Sequence, residues 1–399
     1  MPLPPSHGGY ETGSPGHVFA LIRNRIADTR ASLARATGLA RSTVAARVEA
    51  LIEHGLLAET EDGTSTGGRP PKVLRIRTEG NLVAGIDLGA TEYRIGLLDL
   101  SGRLLAHRQG ALRVSDGPEP VLTHLDAELG TLLSEVNAPA DWLRLVGIGV
   151  PGPVEFATGR PINPPIMPGW HEYPVPEFFT SRYSTSRPPR VLVDNDVNVL
   201  ALGTHRVHHR DHEHLLYVKV GTGIGCGIIT GGLLHRGAAG CAGDIGHIRI
   251  SDPDETVCRC GNTGCLEAVA GGGGLARALT EAGYPAEDVH AVVAQVTAGN
   301  PEALRLLRRA GRLLGEVLAG LVNFHNPRAV VIGGALATAS DHLVAGVREV
   351  VYGRSLPLAT QGLEITVGRS TEPVGVLGAG RLVIEEHMSV DRINQALSP

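Results

Sequence analysis

Residues 81–106 read NLVAGIDLGATEYRIGLLDLSGRLLA. An apolar run ends in a glycine turn, an alternating run follows, and a Ser-Gly turn leads into a third strand. The same design returns over residues 214–237, HLLYVKVGTGIGCGIITGGLLHRG. A hairpin repeated in this way predicts an internally duplicated α/β protein with a cleft between its two lobes. Further strands are expected at LRLVGIGV, RVLVDND, AVVIGG and LEITVG, alternating with helices such as PEALRLLRRAGRLLGEVLAGLVNF. The lobes are expected at 81–200 and 201–399, with the last helix packing back on the first lobe.

Both hairpin turns have the residues of a phosphate loop. Asp87-x-Gly89-x-Thr91 and Gly221-Thr222-Gly223-x-Gly225 can bring backbone N–H groups up to anionic oxygens, and Asp87 could orient a magnesium-bound water. Either loop alone reads more simply as a tight turn; the two together make ATP with Mg2+ a candidate ligand. No GxxxxGK[ST] occurs, which excludes a P-loop. In VDNDVNVLALG, Asn195 and Asp196 fall just past an apolar strand, where α/β folds present ligand-binding groups. A carboxylate there can accept the proton of a sugar hydroxyl, so Asp196 is a candidate base for phosphoryl transfer. Asp196 reads also as the cap of the next helix, and the roles of Asp194 and Asn198 are not separable at this level.

Three of the five cysteines crowd into CRCGNTGCLE, and His247 in GDIGHIRI stands eleven residues before Cys258. The N-terminus shows neither the basic nor the apolar region of a secretory signal, so a reduced, cytoplasmic protein is expected rather than a disulfide framework. His247, Cys258, Cys260 and Cys265 supply four ligands for a structural Zn2+ and leave no position for water. The competing reading is a set of buried free thiols. The histidine-rich HRVHHRDHEH, residues 205–214, lacks a ligand frame and reads as a solvated helix end and loop.

Length and charge set the outer bounds. A chain of 399 residues calls for two or three domains, and its net charge of −5 excludes an overall basic nucleic-acid binder. Charge is nevertheless segregated: residues 1–80 hold 10 Arg+Lys against 8 Asp+Glu. Lys72 and Lys219 are the only lysines, so no mechanism is built on a lysine at this stage. No apolar run approaches the roughly 18 residues of a membrane span.

The mildly basic first segment has its own pattern. HVFALIRNRIADTRASLARATGLARSTVAARVEALIEHGLLAE sets out three helices, with Gly38 between the second and third. This is the signature of a helix-turn-helix, and Arg41, Ser42, Thr43 and Arg47 fall at the start of its recognition helix. Arg30, Arg35 and Arg47 are candidate phosphate contacts. The following LLAETEDGTSTGGRPPKVLRIRTEG reads as a two-stranded wing whose tip offers Arg69 to a minor groove. A DNA-binding winged helix over residues 1–80 is the expectation, and a helical interaction module is the alternative.

From about Val18 onward the motifs resemble the ROK family of sugar-responsive repressors and sugar kinases, which has an actin-like ATPase fold. The resemblance is carried by GIGVPGPV, NDVN and GHIRI followed by CRCGNTGCLE. It implies that His247, Cys258, Cys260 and Cys265 hold zinc and that Asn195, Asp196, His247 and Glu267 line a sugar pocket, with Asp196 at the position of the kinases' base. Asp244 stands where the kinases usually carry glutamate, shortening the reach toward a ligand by one methylene, and joins the expected sugar-binding set. The dedicated kinases lack the winged helix. The resemblance therefore favours a sugar-responsive regulator, a repressor of carbohydrate-utilisation genes, that binds operator DNA as a homodimer or homotetramer. A sugar kinase, or a regulator that retains kinase activity, is the alternative.

Overall fold

The computed structural model describes residues 13–24, 26–60, 72–183, 188–251, 255–368 and 371–398. Two five-stranded sheets dominate it. In the first, the order is Leu104–Ala111, Glu92–Asp99, Leu82–Leu88, Leu143–Val150, Arg190–Asn195. The second runs Leu233–His235, Ile224–Thr230, Leu215–Val220, Ala329–Gly333, Glu364–Val367. In both sheets the opening three strands are antiparallel and the other two join parallel to the first of them. The duplication expected from the repeated hairpin is thus a duplication of whole sheets.

Each sheet is followed by a helix that meets the other lobe. Asp196–His208, which continues from the last strand of the first sheet, lies against Ile224–Thr230 of the second. Val374–His387, late in the chain, lies against Leu82–Leu88 and Leu143–Val150 of the first. The two helices cross where Gly203 meets the Val374 carbonyl and Gly378 meets the Val199 carbonyl, and a Cβ on either glycine would run into those oxygens. Sheet glycines act the same way beneath them: Gly85 faces Val376 and Gly147 faces Ala379.

The N-terminal segment folds as three helices, Pro15–Arg23, Arg30–Thr37 and Arg41–Glu53, with an antiparallel pair, Leu57–Thr60 and Val73–Ile76. Local chemistry fixes its boundaries. Ser14 caps the first helix ahead of Pro15. Thr29 and Ser32 form a reciprocal capping box on the second, which ends at Gly38 with φ 72°. The core of this segment is continuous with the first lobe: Phe19, Leu33 and Leu51 belong to one apolar cluster with Val83, Leu145, Ile384 and Ile393. The C-terminal helix Val390–Ala396 seals the joint. There the Gly16 N–H donates to Asn394 Oδ1 at 2.8 Å, and Arg23 donates to the Met388 carbonyl at 3.1 Å.

Residues 206–214 of the histidine-rich stretch form the expected half-buried to exposed helix end and loop, and only His205 departs from that reading. His205 is 1% exposed, because helix Asp196–His208 is buried through most of its length. Its Nε2–H donates to the His212 carbonyl at 2.9 Å, while Nδ1 accepts from Arg206 at 2.7 Å. Burial first, and Arg206 next, push its pKa down from 6.5 to about 4. The unfolded chain takes up a proton near pH 6.5 that the folded chain refuses until about pH 4. This contribution to stability is therefore present above pH 6.5 and lost as the pH falls toward 4. His205→Gln should flatten that acid limb of a plot of Tm against pH; an unchanged slope would remove His205 as its source.

Candidate functional site

The lobes enclose a cleft of about 1430 Å³, and the helix starts and hairpin turns described above open onto it. Asp87, Gly89, Thr91, Asn195, Asp196, Gly221, Thr222, Gly223, Asp244, His247 and Glu267 all line this one cavity. Residues up to 180 positions apart in the chain are thereby brought to one place by the duplicated sheets.

Asn195 and Asp196 separate cleanly. Asn195 is the helix cap: its Oδ1 accepts the Val197 N–H at 2.9 Å and its Nδ2 donates to the Gly152 carbonyl at 2.9 Å. Asp196 is the first residue of the helix, free of the capping role considered for it, and its carboxylate is 6% exposed. Asp194 is structural. Its Oδ1 accepts from the Asn195 N–H at 2.8 Å and Asn198 Nδ2 at 2.7 Å, and its Oδ2 accepts from Arg236 at 2.7 Å.

Lys219, set aside in the sequence, enters the centre of the site. From strand Leu215–Val220 its Nζ donates to Asp196 Oδ2 at 2.5 Å. Asp87 is buried nearby, with Arg94 of the neighbouring strand 3.8 Å away. Burial raises the Asp87 pKa to about 6; Lys219 and Arg94 act against that rise, and Asp196 adds to it. Burial acts to lower the Lys219 pKa, but Asp196 and Asp87 outweigh it and hold the ammonium above its ordinary range.

The second glycine loop is tied to the cysteine loop by Glu267. Its Oε2 accepts the Ile224 N–H at 2.9 Å and sits so close to Gly223 that a Cβ there would collide with it. In the first loop, Thr91 Oγ1 lies 3.2 Å from His290 Nε2, a contact across the cleft that the sequence did not suggest. Asp244 is half exposed and lies 3.9 Å from His247 Nε2.

His247, Cys258, Cys260 and Cys265 form a cluster that can hold a metal ion, with all ligand atoms within 4.8 Å of one another. His247 Nδ1 is 3.6 Å from Cys258 Sγ, and Cys260 Sγ is 3.8 Å from Cys265 Sγ. Metal–sulfur bonds of about 2.3 Å and metal–nitrogen bonds of about 2.0 Å around a tetrahedral zinc give edges of about 3.5 and 3.8 Å. The donor set fits that ion. Gly261, at φ 91°, and Gly264, at φ 70°, make the turns that fold the cysteines together.

At the other end of the molecule Arg41 and Ser42 are exposed, and Thr43 and Arg47 are half-buried, at the start of helix Arg41–Glu53. Arg30 is not free for phosphate, since it pairs with Glu49 at 2.8 Å and with Glu59. Arg69 lies outside the described residues. Among the described residues no helix is long and apolar enough to cross a membrane.

Comparison with known proteins places these features in a family. The ROK family model matches residues 83–386. The chain belongs to the ROK family. This ROK protein is 29% identical over 383 residues to a xylose repressor from Caldicellulosiruptor bescii, covering 92% of this chain and 94% of that protein. It is 30% identical over 319 residues to a glucokinase from Thermotoga maritima, covering 75% of this chain and 96% of the kinase. Among solved structures, a ROK family transcriptional regulator described as a homologue of the Escherichia coli MLC protein superposes with TM-score 0.78 at 26% identity, covering 96% of this chain and 98% of that one. The fold is accordingly the α/β, actin-like body with an N-terminal winged helix expected from the sequence. The kinase match leaves out a quarter of the chain, whereas the repressor and regulator matches extend over the winged helix as well.

Proposed function

We propose that this ROK protein is a sugar-responsive, DNA-binding transcriptional regulator of the repressor type. Residues 1–80 serve as the DNA-binding head, residues 81–200 and 201–399 as the two lobes, and the C-terminal helices as the link back to the head. The observation that carries this reading is the shared apolar core of head, first lobe and C-terminal helices. Helix Val374–His387, which follows the last strand of the second sheet, is part of that core, so it offers the path by which a change in the lobes reaches the recognition helix. The sugar acts only by binding one arrangement better than the other.

In the cleft, Asn195, Asp196, Asp244, His247 and Glu267 supply hydrogen-bonding groups suited to sugar hydroxyls. Zinc on His247, Cys258, Cys260 and Cys265 would be a structural ion, fixing the segment that carries His247 against the helix that begins with Leu266 and Glu267. In the head, Arg41, Ser42, Thr43 and Arg47 address the major groove and Arg69 a minor groove. The pairing of two heads on an inverted-repeat operator fits a homodimer or a homotetramer.

The test is selection of operator sequences from random DNA by the full chain, followed by affinity measurements at fixed salt with and without sugar. Arg47→Ala should weaken operator binding by about 1–3 kcal/mol and relax base preference. Equal affinity for operator and random DNA, or sugar binding that leaves operator affinity unchanged, would count against the regulator. A kinase reading draws on the retained loop residues Asp87, Gly89, Thr91, Gly221, Thr222 and Gly223 and on Asp196 in the same cleft. It requires ATP-dependent sugar phosphorylation that Asp196→Asn abolishes.

A further inference from the structure

Lys219 stands two residues before Gly221, the place in the second hairpin that Asp87 holds before Gly89 in the first. The duplicated fold thus carries opposite charges at equivalent positions. Across the cleft the two meet through Asp196: the ammonium of the second-lobe strand donates at 2.5 Å to the buried carboxylate that follows the first-lobe strand. Arg94, directly opposite Asp87 in the strand register, lies 3.8 Å from the Asp87 carboxylate and 3.0 Å from that of Glu92. Lys219 therefore neutralises Asp196 before any ligand arrives, while Arg94 is shared between Asp87 and Glu92. A parallel bond, Arg236 to Asp194 at 2.7 Å, occupies the neighbouring carboxylate.

We propose that Lys219 is a built-in cation at the point between Asp87 and Asp196 where a metal-bound phosphoryl group would have to sit, and that it makes the cleft a receptor for neutral sugars closed to magnesium nucleotides. The proposal rests on the sugar-cleft reading above and adds what that cleft refuses. Phosphorylation would transfer the proton of a sugar hydroxyl to Asp196 while the hydroxyl oxygen bonds to the γ-phosphorus and the bond to the ADP oxygen breaks. Asp196 is already the acceptor of a charge-assisted hydrogen bond, and protonating it would leave a buried ammonium without its partner. A magnesium ion approaching Asp87 meets the like charge of Lys219, the strongest cationic influence on that carboxylate. A neutral sugar hydroxyl meets neither obstacle, because the carboxylate has lone pairs left over for it.

Calorimetric titration of the full chain with Mg2+ and a non-hydrolysable ATP analogue tests this without knowledge of the sugar. Wild type and Lys219→Arg should bind the nucleotide at least about tenfold more weakly than Lys219→Met, a difference of about 1.4 kcal/mol. Mg2+ alone should raise the Tm of Lys219→Met more than that of wild type, since only the variant has uncompensated carboxylates to offer it. Nucleotide bound equally by wild type and Lys219→Met would overturn the proposal, as would a folded Lys219→Met that still binds none. If Lys219→Met does not fold, the double variant Lys219→Met with Asp196→Asn removes both partners of the ion pair and carries the same comparison. Thermal shifts with D-xylose and D-glucose in the same samples report on the sugar cleft separately, so its failure is distinguishable from that of the lysine.

Discussion

Serine in place of Cys260 should yield a purified protein without bound zinc, with sugar affinity lowered by roughly 100-fold. The serine oxygen is a poor substitute for a thiolate, and three remaining ligands leave a structural zinc site incomplete. The consequence reaches the sugar because the cysteine loop joins directly to the cleft: the Leu266 N–H donates to the Ile248 carbonyl at 3.0 Å, next to His247 on one side and Glu267 on the other. Glu267 in turn holds the Ile224 N–H beside the second glycine loop. Freeing both side chains removes about two oriented hydrogen bonds from a bound sugar, at about 1.4 kcal/mol each. Metal content per chain and sugar affinity should fall together. Zinc retained at one per chain, or zinc lost with sugar affinity intact, would break the connection.

Alanine at Gly378 should destabilise the protein even though it improves the helix. Within a helix the change is worth up to about 1 kcal/mol in favour of alanine. Helix Val374–His387, however, crosses Asp196–His208 at this residue, and the new methyl would overlap the Val199 carbonyl oxygen. Backbone cannot yield as a flexible side chain does, and overpacking of this kind costs about 1–3 kcal/mol or more. The net sign is therefore loss of stability, together with a shift in the lobes that meet there. Gly130→Ala and Gly320→Ala provide the control, since a methyl at either helical position meets nothing within 4 Å. Urea denaturation should show these two raising the midpoint and Gly378→Ala lowering it. A raised midpoint for Gly378→Ala would mean that the helices do not cross this closely.

The repeated hairpin, the helix-turn-helix with Gly38, and the spacing of Cys258, Cys260 and Cys265 were all legible in the sequence, because each is set by local chemistry. Strand alternation, a capping box and a left-handed glycine depend on residues a few positions apart. The closeness of His247 to the cysteines was legible for the same reason, since eleven residues separate it from Cys258. Asn195 and Asp196 could be placed at a strand end, but which of them caps the helix was settled only by the direction of their side chains, Asn195 Oδ1 facing the Val197 N–H.

Tertiary structure alone decided the charge state of the cleft and the joints of the molecule. Lys219 and Asp196 are 23 residues apart on different lobes, so the significance of the lysine depends on how the sheets face each other. An alignment of the two hairpins could have drawn attention to it, as the counterpart of Asp87. His205 lies in a run of polar residues that composition assigns to solvent, yet its helix is buried because it is packed between the lobes. The glycines at 203 and 378, and the C-terminal helix that returns to the N-terminal head, follow the same rule: their roles come from backbone meeting backbone across the fold, and a linear pattern carries no information about which distant surface a residue will touch.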